Sequence, residues 1–224
     1  MPEIKNKNPS PSYSGEHKWL HLFFGLAVIS GIMVYLWWLR GRFNPIEFFV
    51  PLLGLIALAN GLFREGASKI GFWPQDFTRC FRERAEQLFA LAALLLWWIV
   101  LSGNAASLAE HNGFRFLGKY IFIGLIQQYI LNGFFVNRLL GFYGERNNKN
   151  IPIIAAAAFS LLHTPNWFLM LTTGLGGYFC VKIFLEHRNL YFLGLAHGLV
   201  GFLLFHSFSE SVTHHFVVGI KYFN

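Results

Sequence analysis

The chain is written in apolar blocks about twenty residues long, the length that crosses ~30 Å of hydrocarbon as an α-helix. Seven such segments stand out: Trp19 to Leu39, Pro45 to Phe63, Ala85 to Leu101, Phe116 to Leu140, Ile151 to His163, Trp167 to Leu185 and Leu190 to Phe208. The fifth is short for a full crossing. Their apolar residues fill the blocks instead of forming one stripe. Only 13% of the 224 residues are charged, where a soluble domain carries roughly 25%. Twenty-six Phe and seven Trp suit a lipid-facing surface with aromatic anchors at its edges. The expected fold class is therefore all-α: a polytopic membrane helix bundle of about seven transmembrane helices.

The expected organisation is simple. Residues 1–18, rich in Pro, Ser and Asn, read as a disordered polar tail with no cleavable signal. Residues 19–208 form one bundle, and 209–224 a short polar tail. With the N-terminus placed inside, thirteen of the eighteen Lys and Arg fall in inside segments, Arg138 and Arg188 among them. That bias predicts an inside N-terminus and an outside C-terminus. The +7 formal charge is absorbed by topology and calls for no nucleic acid. The basic stretch "REGASKIGFWPQDFTRCFRERAEQ" reads as a solvated loop, or as an amphipathic segment on anionic headgroups. Cys80 and Cys180 have no metal or redox spacing and read as reduced structural thiols.

Against this apolar background the polar residues stand out. Gln127, Gln128 and Asn132 lie in the middle of the fourth segment, His163 ends the fifth, and His197 lies in the seventh. Counted from the inside ends, Gln127, His163 and His197 all fall about 14 to 18 Å into the membrane. Gln128 and Asn132 share a helix face at i, i+4, as do Phe159 and His163, and His197 and Gly201. Small residues in "TTGLGGYF" would admit a neighbouring helix closely. The expectation is one polar pocket lined by two His, two Gln and an Asn, since intramembrane polar groups mark functional sites. Interhelical hydrogen bonding alone is the plain alternative, at ~0.6 to 2 kcal/mol per contact. Thr164 and Asn166 read as turn or cap residues.

Two imidazoles can position a water, steady an oxyanion or hold a metal. No Asp or Glu lies at their depth: Glu47 is near the outer end of the second segment and Glu186 at an inner edge. No G-x-S-x-G occurs, and no Ser pairs obviously with either His. A transporter would show repeated broken-helix pairs, which are absent from the pattern. His206, His214 and His215 form a second cluster, read as scattered surface histidines or as an outer metal site.

At these residues the chain resembles the CAAX prenyl endopeptidase and bacteriocin-processing (CPBP, or Abi) family of intramembrane endopeptidases. The family's E-E-x-x-x-R motif reads Q-Q-Y-I-L-N here, Gln127 to Asn132. Its F-x-x-x-H is intact as Phe159 to His163, and its H-x-x-x-N reads "HGLVG", with His197 kept and Gly201 in place of Asn. The resemblance covers about residues 69–206. It implies peptide hydrolysis by a water that the first Glu and both His activate, with His and Asn steadying the oxyanion. Gln127 then stands in the base position, Gln128 and Asn132 in those of the supporting Glu and Arg, and Gly201 in that of the oxyanion Asn.

A Gln cannot take a proton near neutral pH, and general-base assistance contributes about 10²- to 10⁴-fold. An oxyanion donor contributes about 10²- to 10³-fold more. Charge and counter-charge have vanished together, which avoids a lone buried ion. Two readings follow: a divergent endopeptidase in which His163 or His197 becomes the base, or a pseudoprotease that binds a membrane-embedded or lipidated peptide without cutting it. The resemblance implies no cofactor. Zinc is the metal that His163 and His197 would invite. It also implies membrane lipid as surroundings, a membrane-embedded or lipidated peptide as partner, and a bacterial cytoplasmic membrane as location.

Overall fold

A computed structural model describes residues 17–106, 108, 113–144 and 149–223. Most of residues 1–18, expected as a tail, lie outside them. The described residues are helical, with one isolated two-residue bridge, Phe72 to Asn189, and no strand. The helices are α1 (Lys18–Val34), α2 (Pro45–Leu62), the single turn α3 (Ala67–Ile70), α4 (Gln75–Leu101), α5 (Gly113–Gln128), α6 (Asn137–Tyr143), α7 (Asn150–Leu161), α8 (Trp167–His187), α9 (Leu190–Ser207) and the turn α10 (Glu210–Thr213).

Five helical runs are long and apolar enough to cross a membrane: Lys18–Leu39, Pro45–Leu62, Gln75–Leu101, Trp167–His187 and Leu190–Ser207. Five of the seven segments read from the blocks correspond to these runs. The expected fifth span is α7, only twelve residues long. The expected fourth is α5 and α6 joined by a π-helical segment, Tyr129–Val136. Both residues flanking that segment keep right-handed helical dihedrals, so the helix axis carries on through it. Large apolar side chains such as Val50, Leu58, Leu94, Trp97, Leu171 and Phe179 are exposed on the outside. An apolar surface this extensive needs lipid against it, and the chain is an integral membrane protein.

Local chemistry sets the helix ends. Asn44 and Glu47 form a reciprocal capping box at α2, at 3.0 and 2.8 Å, with Pro45 as its first residue. Asn166 and Asn189 cap α8 and α9 by accepting from Leu169 N and Phe192 N. The third span starts ten residues before the expected Ala85, because the basic stretch from Gln75 onward is already helix. The first part of that stretch is largely exposed, with the short helix α3 in it, and is tied to the bundle at Glu65 and Gly71. Glu65 is buried, Gly71 N–H and C=O bond Ala67 and Leu190, and Gly71 adopts φ +103° against Phe184 and Leu190, where a Cβ would collide.

The run from Ile130 to Gly141 is buried without a break and forms the centre of the bundle. It includes Arg138, which is therefore not the loop residue that topology counting made of it. Its side chain is fully buried, ion-paired to buried Glu65, and faces Phe63 at 4.1 Å. Lys69 joins the same carboxylate at 3.1 Å. The pairing spans 73 residues, so no local pattern announces it. Arg188, also counted in a loop, donates to Lys69 O at 2.8 Å and to Asn137 Oδ1 at 2.7 Å.

Candidate functional site

Glycines bring the two key helices together. α5 packs along α9. A Cβ on Gly198 would strike Ile121 Cα, one on Gly194 would lie 2.9 Å from Leu125 Cα, and one on Gly124 would lie 2.9 Å from Gly194 O. The helices therefore cross at backbone contact, the membrane use of small residues. On the other side α7 packs on α8, where Gly177 faces the Phe159 ring and Gly174 faces Ser160. The small residues of "TTGLGGYF" thus do admit a neighbour.

This packing brings polar side chains from three elements together. Gln128 Nε2 lies 3.0 Å from His197 Nδ1. An amide nitrogen only donates, so Nδ1 of His197 accepts and its Nε2 carries the proton. Asn132 donates to Gln128 Oε1 at 2.6 Å across one helical turn. His163 Nδ1 lies 2.7 Å from Phe159 O. A carbonyl only accepts, so here Nδ1 carries the proton and Nε2 keeps its lone pair. The Phe159 ring centroid is 4.9 Å from that of His163 and 5.8 Å from that of His197. The two imidazoles flank one aromatic ring and hold opposite tautomers.

Gln128 and Asn132 are wholly buried. The side-chain carbonyls of Gln127 and Asn132 are buried without a hydrogen-bond partner among the described residues. Such groups are costly, and Asn132 is one hydrogen bond removed from His197 through Gln128. Gly201 lies one turn beyond His197 on α9, and the nearest atom a Cβ there would meet is Tyr120 Cδ1 at 3.4 Å. The Tyr120 ring occupies the space next to the position where the resemblance expects an amide.

Asn166 is a cap, as its sequence position implied, and more besides. In addition to capping α8, its Nδ2 donates to Thr213 O at 2.9 Å and to Val217 O at 3.2 Å. His206, His214 and His215 do not assemble. His206 is buried against Phe202, His214 packs on Tyr222, and His215 pairs with Glu210 at 3.3 Å. Among the described residues no three His, Cys, Asp or Glu side chains converge as metal ligands, whereas a catalytic zinc takes three protein ligands.

The fold and this site define a class: an integral membrane helix bundle with buried Gln128 and Asn132 linked to a partly exposed imidazole inside it. The family model for the type II CAAX prenyl endopeptidase Rce1-like proteins matches residues 92–203. The chain belongs to that family. The match contains Gln127, Gln128, Asn132, His163, His197 and Gly201 but not the stretch from residue 69 to 91. No curated protein and no solved structure shows a significant match.

Proposed function

We propose that this protein acts on a membrane-associated polypeptide as a divergent intramembrane endopeptidase, with His163 in the base role that Gln127 cannot fill. One observation carries this reading: the opposite tautomers of the two imidazoles. His163 offers a lone pair at Nε2, and His197 offers a proton at Nε2. Hydrolysis needs one of each.

In that scheme His163 Nε2 takes a proton from water as the water oxygen bonds to the scissile carbonyl carbon. The carbonyl π pair moves to oxygen, and the oxyanion accepts from His197 Nε2–H. When the oxyanion collapses, the C–N bond breaks and His163 returns its proton to the leaving nitrogen. Gln128 positions His197, and Asn132 positions Gln128. The buried Gln127 carbonyl is an acceptor to which the attacking water can donate its second proton.

A second reading is favoured by a specific feature. Gln127, Gln128, Asn132 and Gly201 bring no ionisable group to the family's motif positions, which suits a pseudoprotease that holds a membrane segment or a lipidated peptide without cutting it. Reconstituted protein incubated with membrane-anchored peptides, lipidated and unlipidated, separates the two by mass spectrometry of the products. Cleavage that stops with His163→Ala supports the endopeptidase. Retained peptide binding without products supports the pseudoprotease. Both readings place the N-terminus on the cytoplasmic side and the chain in a bacterial cytoplasmic membrane, with lipid as its surroundings.

A further inference from the structure

α7 has twelve residues and rises about 18 Å, well short of the ~30 Å of hydrocarbon around it. The turn that follows, His163 to Asn166, leads directly into α8, which is itself long enough to cross the membrane, so the turn lies at one end of the bundle, with His163, Thr164 and Pro165 only partly covered. The polar backbone groups of such a turn need partners. Here residues 210–223 supply them. Gly219 N donates to Thr164 O at 2.8 Å, one residue past His163. Asn166 Nδ2 reaches Thr213 O and Val217 O. Val218 packs into the cluster containing Leu162, Ile130 and Phe134.

The segment is tied down at both ends of its path. Phe216 lies against Phe205 at 5.3 Å, Phe168 at 6.3 Å and Tyr120 at 6.4 Å, joining it to α9, α8 and α5. Further on, Arg40 Nη1 donates to Val218 O at 2.7 Å, and Gly219 abuts Leu36 O, joining it to the end of α1. It thus runs across the end of the bundle, from the α5, α8 and α9 corner to α1, over the turn that carries His163.

Its backbone is strained. His214, His215 and Phe216 are three successive non-glycine residues at φ +46°, +51° and +57°. Left-handed backbone is costly for such side chains, a bulky Phe above all, and persists only where surrounding contacts impose it. Asn166 and the Phe216 contacts impose it here. Strain held by a few anchors is released when those anchors let go, which lowers the cost of local opening.

We propose that residues 210–223 are a strap that gates the candidate site: seated, it is bonded across the turn beside His163 and narrows access there, and unseated, it widens the passage to the two imidazoles from that end of the bundle. The occupant that replaces it is a polypeptide in extended form, because the seated strap satisfies Thr164 O with a backbone N–H and Asn166 Nδ2 with backbone carbonyls. The inference holds whether the site cuts that polypeptide or only holds it, so its test does not depend on hydrolysis.

The test uses the full chain in proteoliposomes, with Cys80 and Cys180 replaced by Ala and a reporter, Leu162→Cys, placed in the cluster that Val218 packs against and next to His163 in sequence. Two variants unseat the strap. Gly219→Val drives a side chain into Leu36 O, and Arg40→Ala removes the anchor on Val218 O. Strap release is read separately, by trypsin cleavage after Lys221. Wherever Lys221 becomes cleavable, labelling of the reporter thiol by a sulfonated maleimide should run about tenfold faster than in the parent, with circular dichroism unchanged. Unchanged labelling with Lys221 cleavable would overturn the proposal, because the strap would then cover nothing. Loss of helicity in both variants, or a Lys221 that stays uncleavable in both, would also overturn it, because the segment would be a fixed part of the fold.

Discussion

Gln128 donates its side-chain amide to Nδ1 of His197 across 3.0 Å, and so sets which nitrogen of that imidazole carries a proton. A carboxylate in the same place would do the opposite. It would accept from Nδ1–H and leave Nε2 as a lone pair. On the proposed reading, in which Gln128 stands where the family motif has Glu, the difference is therefore more than one of charge. It turns His197 from a candidate base into a fixed donor and leaves His163 as the imidazole with a lone pair to offer.

The two adjacent amides should therefore respond differently to removal. Gln128→Leu strands Asn132 Nδ2 and His197 Nδ1, at a cost of about 1–3 kcal/mol for each. Gln127→Met removes a buried carbonyl that has no partner among the described residues and should be neutral or stabilising. Unfolding of the two variants by sodium dodecyl sulfate in mixed micelles measures both. Equal losses would contradict the assignment of the hydrogen-bonding role to Gln128 alone.

The buried ion pair makes a separate prediction. Glu65→Leu removes the carboxylate that faces Arg138 in the centre of the bundle and should cost about 3–5 kcal/mol, whereas Arg138→Met leaves Glu65 with Lys69 at 3.1 Å and should cost less. The double variant leaves only Lys69, which is one-fifth exposed and can reach solvent, and should recover most of that loss. A double-mutant cycle in the same unfolding assay gives the coupling. Additive losses would mean that the two side chains do not meet.

The glycines of α9 are not equivalent. A methyl group at Gly198 would strike the Ile121 backbone, whereas one at Gly201 meets only the edge of the Tyr120 ring at 3.4 Å. Gly198→Ala should cost about 1–3 kcal/mol by forcing α5 and α9 apart. Gly201→Ala should lie within about 0.5 kcal/mol of the parent. The ranking is read from melting temperatures in one detergent, and reversal of the order would place the helix crossing elsewhere.

What the sequence made legible was whatever broke its own background. Long apolar blocks announced a helical membrane bundle, and Gln127, Gln128, Asn132, His163 and His197 stood out because hydrocarbon penalises them. Their spacing located Phe159 under His163, and Asn166 as a cap. The Glu65–Arg138 pair stayed hidden because both residues sit at block edges, where charge is ordinary and topology rules claim every Arg. The start of the third span was misplaced for the same reason: helix α4 begins in charged residues that hydropathy assigns to a loop. The π-helical segment has no compositional mark. Residues 210–223 carry too few apolar residues to read as packed against the bundle. Their contacts with Thr164, Asn166 and Arg40 are long-range in sequence.

The central claim is that the two imidazoles hold opposite tautomers over a charge-free cluster, and nitrogen chemical shifts report that directly. In protein labelled with ¹⁵N at histidine, with His163→Ala and His197→Ala used for assignment, long-range ¹H–¹⁵N correlation distinguishes a protonated ring nitrogen from a bare one. The account predicts a proton on Nδ1 of His163 and on Nε2 of His197, and a switch of His197 to Nδ1–H in Gln128→Glu. The same tautomer at both rings, or a proton on Nδ1 of His197 in the parent protein, would contradict it.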